Sequence, residues 1–385
     1  MSASRLFRGA LGASTAALLL LTIAPVQAHK PITSKYSYNA DVWPIFRNRC
    51  GTCHVPGGVA PMSLLDYKNA LPWAESIREE LIDEKMPPWY VDPSGGRIKG
   101  TQAISPKEID TIVTWATGGT PEGAGPPPPA PASRQTEWPN GAPDLVLAMN
   151  DEHTMPAEQQ EDTYETALKR TLATPMWVRL ADLQPGAPDL VRDATIAIDN
   201  GPLLAAWMPG ERPQPSPDGA AFAMPPGATI ILRVHYKKPW QDERKARSDR
   251  SRVGLYFSHE AAPRPMATLT IGSTSNRGSI ATSSASALTS TLPTAARIVA
   301  LRPLLDQPYA DVDVHAVLKS GGEIALLRLH RPRPEWNRRY WLDAPVDLPA
   351  GTRVEVRTAA APIDPDEPPR TPTGVLQLAV EYVAR

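Results

Sequence analysis

The chain is short of cysteine, aromatic residues and net charge, and each shortage removes a class of explanation. It has two cysteines in 385 residues, too few for a disulfide-stapled scaffold. Its formal net charge is −1, which leaves no basic footprint for a nucleic-acid partner. Aromatic side chains make up only 6% of the residues. Beyond the first 28 residues no run is apolar and long enough to span a bilayer. Proline, by contrast, is abundant at 44 residues. That is too much for an all-helical protein and suits a β-rich one with many turns and edge strands.

The first residues set the expected compartment. Arg5 and Arg8 precede an apolar run centred on Leu18-Leu19-Leu20-Leu21-Thr22-Ile23, which ends in Pro25-Val26-Gln27-Ala28. A basic start, a short apolar core and small residues at a cleavage site read as a signal peptide over residues 1–28. The expected product is an exported, periplasmic protein beginning at His29, with no membrane span in the mature chain.

The length predicts two or three domains. Residues 36–124 carry helical patterns. Val42, Ile45 and Phe46 recur at helical spacing, a second helix is expected over Tyr67 to Lys85, and a third starts at Ser105-Pro106-Lys107-Glu108. That tetrad holds a cap residue, proline at the first helical position and glutamate three after the cap. Residues 125–142 form a proline-rich linker. From 143 onward the pattern alternates, as in Asp311-Val312-Asp313-Val314-His315-Ala316-Val317 and Arg353-Val354-Glu355-Val356-Arg357, so β-sandwiches are expected over 143–260 and 261–385. The predicted fold class is therefore multidomain, with a small all-α domain followed by two β-sandwiches.

Cys50-Gly51-Thr52-Cys53-His54 is the c-type haem attachment pattern. Two thiols must reach the two vinyl groups on one porphyrin edge, and the next residue must place an imidazole nitrogen on the iron. The rival readings are a thioredoxin-like dithiol, which wants a βαβ context, and half a zinc site, which wants further ligands nearby. Neither requirement is met within residues 36–124. The expected cofactor is one covalent haem c on Cys50 and Cys53, with His54 as the proximal iron ligand. For the sixth ligand the leading candidate is Met86, in Met86-Pro87-Pro88-Trp89, and the rival is Met62. A thioether ligand raises the haem potential and suits electron transfer. Ile45, Phe46, Leu64, Ile77, Trp89, Ile112 and Trp115 are the expected pocket.

The stretch from Cys50 to Gly123 resembles a cytochrome c-like domain found fused to copper type II, ascorbate-dependent monooxygenase domains in bacteria. The matching pieces are the haem motif, Pro56-Gly57-Gly58-Val59-Ala60-Pro61, Met86-Pro87-Pro88-Trp89, and Trp115 with Gly118 and Pro121-Glu122-Gly123. Most of residues 143–385 resembles the monooxygenase part, related to the peptidylglycine α-hydroxylating enzymes. Its anchors include Pro143-Asp144-Leu145-Val146-Leu147, Trp207-Met208-Pro209-Gly210, Leu232-Arg233-Val234-His235-Tyr236, and Trp336-Asn337 with Tyr340. The resemblance implies two jelly-roll sandwiches and two coppers. One copper would use a histidine pair plus a later histidine. The pair falls on Arg192-Asp193, and His235 alone is retained. The other would use a His-x-His pair, which falls on Leu304 and Asp306, and a methionine, which falls near Glu381-Tyr382. With five of the six ligand types replaced, no copper is expected and no catalytic residue is assigned.

Among the other histidines, His315 is expected on the polar face of its strand, His259 and His330 isolated beside proline-rich turns, and His153 in a polar loop. The charged run from Asp242 to Arg250 reads as an exposed hairpin loop, and Ser283 to Ser286 as a low-complexity loop. Three functions remain in view. The first is an electron-transfer protein whose copper-less scaffold docks a periplasmic redox partner. The second is a copper monooxygenase fed by the haem, and the third a haem enzyme or sensor with an open sixth position. The first is the one expected, because the haem motif is intact and the copper sites are not.

Overall fold

A computed structural model describes residues 32–88, 91–100, 104–129, 138–168, 172–217, 219–272, 286–361 and 376–385. The protein is β-rich, with a few short helices, all in its N-terminal third apart from one turn at Trp240–Asp242 among the described residues. No helix among the described residues is long and apolar enough to cross a membrane.

The first helix, α1, runs through three consecutive segments, Tyr38–Val42, Trp43–Ile45 and Phe46–Cys50. The second, α2, is also segmented, as Tyr67–Ala70, Leu71–Trp73 and Ala74–Ile82. Pro72 accounts for the tighter middle turn, and Asp83 and Glu84 end the helix before the expected Lys85, with Glu84 at φ +56°. The third helix, α3, spans Pro106–Thr117 and opens with a reciprocal capping box, in which Ser105 Oγ accepts from Glu108 N and Glu108 Oε2 accepts from Ser105 N. Such a cap is worth about 1 kcal/mol. Glu108 also pairs with Arg49 at 3.0 Å, which ties the start of α3 to the residue before Cys50. Phe46, Ile112 and Trp115 are fully buried where the helices meet, and Tyr38 packs against Phe46 and Trp115. Burial of each such side chain contributes about 1.5–3 kcal/mol.

Among the described residues the strands form one eight-stranded sheet, two four-stranded sheets and a two-stranded one. The large sheet runs in the order Leu145–Ala148, Arg252–Phe257, Met176–Gln184, Ala220–Met224, Arg264–Ile271, Gln377–Ala384, Ala296–Leu304 and Tyr340–Leu348. Its midline is a short parallel pairing of Arg264 with Ala220 and Pro265 with Ala221. One smaller sheet holds Glu161–Leu168, Ile230–Lys237, Val191–Ile198 and Leu203–Trp207, and the other Ser286–Thr291, Arg353–Ala360, Tyr309–Val317 and Glu323–His330. Two apolar cores result. The first gathers Val178, Leu183, Ile196, Leu232, Val234 and Leu255, and the second Ile298, Leu301, Val312, Val314, Leu327, Val356 and Val380. We call the strands around these cores the first and second β units. The strict alternation of residues 311–317 does its expected work, since Val312, Val314 and Ala316 are buried while His315 faces outward.

Three placements differ from the sequence reading. His153 lies in a strand, His153–Met155, paired with Arg247–Asp249, and its ring stacks between Tyr164 and Tyr236. The charged run is therefore not wholly an exposed loop. Asp249 is buried and accepts hydrogen bonds from Ala187 N, Tyr236 Oη and Ser251 Oγ. His330 is not isolated, because it bridges Glu84 and Asp311 at 2.8 Å each. In addition, Val91 and Ile98 leave the helical core and pack in the second β core, bridging to Leu329 and Leu342. Trp89 and residues 283–285 lie outside the described residues.

Candidate functional site

The Cys50–His54 motif begins on the last residue of α1. Cys53 N and His54 N both donate to Cys50 O, at 3.2 and 3.0 Å, which winds the motif into one turn. The chain then loops out and returns, so that Leu64 N donates to His54 O at 3.1 Å. The return requires glycine at 58, because a Cβ there would lie 2.3 Å from Cys53 O. At the base of the loop His54 Nδ1 donates to Met62 O at 3.2 Å. A carbonyl only accepts, so Nδ1 carries the proton and the Nε2 lone pair is left for a metal. Burial pushes the His54 pKa below its ordinary value, which favours the neutral imidazole that ligation needs.

Burial also pushes the Cys50 thiol up to about 12, with Cys53 adding to the rise. A redox dithiol needs a depressed thiol pKa, so this environment disfavours that reading. The donor set fits a covalently attached haem: two thiols three residues apart, an adjacent imidazole with its outer nitrogen anchored, and an apolar helical core beside them. Of the expected pocket, Phe46, Leu64, Ile77, Ile112 and Trp115 are buried in that core, and Ile45 packs against it.

The two candidate sixth ligands are placed differently. Met62 is partly buried against the helical core, and its carbonyl sits on the Nδ1 edge of His54, which is the edge facing away from any metal on Nε2. Met86 follows the end of α2 and is 40% exposed. It belongs to none of the three apolar cores, so core filling does not explain it.

The positions expected for copper ligands have other partners. His235 Nδ1 bonds Asp193 Oδ2 and His235 Nε2 bonds Glu161 Oε1, both at 2.8 Å. The Asp193 hydrogen bond is the main cause that raises the His235 pKa, so this ring favours the charged state. Arg192 donates to Val59 O in the motif's return loop and to Lys237 O. Glu381 is buried in an ion pair with Arg339 at 2.7 Å. Asp306 accepts from Tyr309 Oη at 2.7 Å. Asp193, His235 and Leu304 line a cleft of about 490 Å³ together with Arg233, Arg302 and Asn337. Arg302 donates to Asn337 Oδ1 there, and burial with Arg339 nearby lowers its pKa to about 10. Among the described residues no group of three or more His, Cys, Asp or Glu side chains is arranged to hold a metal ion.

Sequence reasoning did not find the contacts that lock the motif to the β units. Cys53 Sγ approaches Pro209 O at 3.4 Å, and a Cβ on Gly210 would meet that sulfur at 2.7 Å. Gly210 has φ +80°, so the turn after Trp207 is shaped to lie against the motif. The only sequence signal was Trp207-Met208-Pro209-Gly210 itself, which carries no hint of what it touches.

No protein-family model matches the chain, and no curated protein does. Among solved structures, the major capsid protein P2 of bacteriophage PM2 aligns at 10% identity and TM-score 0.26, over 62% of this chain and 97% of its own. A Paenibacillus xanthan lyase aligns at 13% identity and TM-score 0.18, over 67% of this chain and 28% of its own. The PBSX exported protein XepA aligns at 11% identity and TM-score 0.18, over 63% and 87%. Likeness this weak carries no argument about fold or function.

Proposed function

We propose that the chain is an exported mono-haem c-type cytochrome that transfers electrons. In this reading the two β units are jelly-roll sandwiches of a copper-less monooxygenase-like scaffold, which docks a periplasmic redox partner. Cys50 and Cys53 carry the porphyrin through thioethers. His54, through Nε2, and the Met86 thioether would be the residues that hold the iron. When bound, the haem supplies one-electron redox chemistry. The protein's own part is to hold the ligands, to exclude water through Phe46, Ile112 and Trp115, and to bias the iron toward the ferrous state through the thioether.

The observation that carries the reading is the hydrogen bond from His54 Nδ1 to Met62 O, directly beside two thiols at the attachment spacing. It fixes the tautomer with Nδ1 protonated, so Nε2 would be the nitrogen free to hold an iron. Against a copper enzyme stands His235, whose two nitrogens are both taken by carboxylates. A copper site needs about three or four well-placed imidazole or thioether ligands.

The test is the mass of the denatured chain and the metal content of the purified protein. One haem that stays with the denatured polypeptide, with iron present and copper far below one per chain, is the expected result. Haem that extracts into acidic organic solvent would sink the reading. Copper that is near-stoichiometric, survives dialysis and supports ascorbate-dependent oxygen uptake would restore the monooxygenase.

A further inference from the structure

The two β units contact different stretches of the helical segment, the first residues 53–61 and the second residues 83–92. The first unit holds the attachment side, through Arg192 donating to Val59 O and Gln241 donating to Pro61 O, with Pro209 O 3.4 Å from Cys53 Sγ. The second unit holds the loop that carries Met86. His330 Nε2 pairs with Glu84 Oε2 at 2.8 Å, while His330 Nδ1 is braced by Asp311 Oδ1 at 2.8 Å. Arg331 Nη1 donates to Asp83 O at 2.7 Å, and Arg331 Nε lies 3.7 Å from Glu84 Oε2. Just beyond Met86 the chain joins the same strand, with Val91 bridged to Leu329 and Asp92 N donating to Arg328 O.

The backbone at this contact is unusual on both sides. Glu84 has φ +56° and Arg331 has φ +46°, two of the four non-glycine residues in the left-handed region among the described residues. Such conformations are disfavoured and persist where surrounding contacts impose them. Here the two meet each other, two residues before a methionine that is itself 40% exposed. Lys85 N and Met86 N both donate to Glu80 O, so the helix end and the clamp together define where the sulfur can go.

We propose that His330 and Arg331 are positioning residues for the sixth haem ligand, acting through Glu84 and the Asp83 carbonyl. The second β unit then has a specific task besides docking, which is to keep the Met86 thioether on the iron. The proposal rests on the reading of Met86 as that ligand, and the experiment separates the two.

Full-length holoprotein is prepared as wild type, Met86→Ala, Glu84→Ala, the double variant His330→Ala/Arg331→Ala, and the conservative double variant His330→Gln/Arg331→Lys. The readouts are the weak near-infrared sulfur-to-iron band of the oxidised protein, carbon monoxide binding by the reduced protein, and covalent haem per chain. Met86→Ala abolishes the band and opens the iron to carbon monoxide. Glu84→Ala and the double alanine variant keep one haem per chain, lose at least half of the band and bind carbon monoxide at least tenfold more tightly. The conservative variant regains most of the band. If Met86→Ala leaves the band intact, the ligand assignment falls, and this proposal with it. If Met86→Ala abolishes the band while Glu84→Ala leaves band and carbon monoxide binding as in wild type, the clamp alone is refuted. Glu84→Ala decides the matter even where the double alanine variant fails to fold, because that side chain is half exposed and lies outside both β cores.

Discussion

Asp182 offers the sharpest quantitative test of the packing. It lies in the strand Met176–Gln184 and is 1% exposed. Burial raises its pKa from 3.8 to about 7, while hydrogen bonds from Leu183 N and the Trp207 side chain pull it down. The folded protein therefore prefers Asp182 protonated. Because the folded pKa lies above the unfolded one, the stability linked to this group is full below pH 3.8 and is lost as pH rises through about 7. With those two values, the loss between pH 5 and pH 8 comes to about 2–3 kcal/mol. Asp182→Asn carries no titrating proton and does not incur that loss. The assay is urea denaturation of wild type and Asp182→Asn at pH 5 and pH 8, followed by the fluorescence of Trp207 and its neighbours. The difference between the two proteins should shift toward the variant by about 2–3 kcal/mol at the higher pH. Taking the difference cancels every other titrating group. An offset that is the same at both pH values would refute the reasoning, and would mean that water or a donor reaches the carboxylate in the folded state.

Two further predictions concern the charges inside the β units. Arg339→Ala should cost about 3–5 kcal/mol, because it strands Glu381 in the interior. Arg339→Met combined with Glu381→Leu should cost far less, and a double variant as destabilised as the sum of the two single variants would show that the pair is not coupled. His235→Gln should weaken the fold most below about pH 6.5 and progressively less as pH rises through the raised histidine value, since the charged ring between Asp193 and Glu161 is what stabilises. Chemical denaturation from pH 5 to 9 checks this, and a flat difference between the proteins counts against it.

What the sequence made legible was local. Ser105 to Glu108 announced α3 because a capping box is closed within four residues, and residues 311–317 announced a strand because period-two burial is written in the side chains themselves. The Cys50–His54 spacing was legible for the same reason, as two thiols and an imidazole within five residues. The contacts that shape the site were not. Arg331 reaches Asp83 across 248 positions, Arg192 reaches Val59 across 133, and Cys53 meets Pro209 across 156. Nothing in an isolated arginine or histidine says which distant carbonyl it will find. His330 looked isolated because its partners Glu84 and Asp311 lie on other elements. Val91 and Ile98 looked like part of the helical stretch because apolar residues do not say which core they will enter.

The strand Gln377–Ala384 sits between Arg264–Ile271 and Ala296–Leu304 in the large sheet, and supplies Leu378 and Val380 to the second core. Neither neighbour can complete its ladder until that strand has been synthesised. The second β unit must therefore fold after translation has passed residue 384, and until then Arg264–Ile271 and Ala296–Leu304 are open edges able to pair with other chains. Truncations short of residue 377 should yield aggregates rather than a smaller soluble protein.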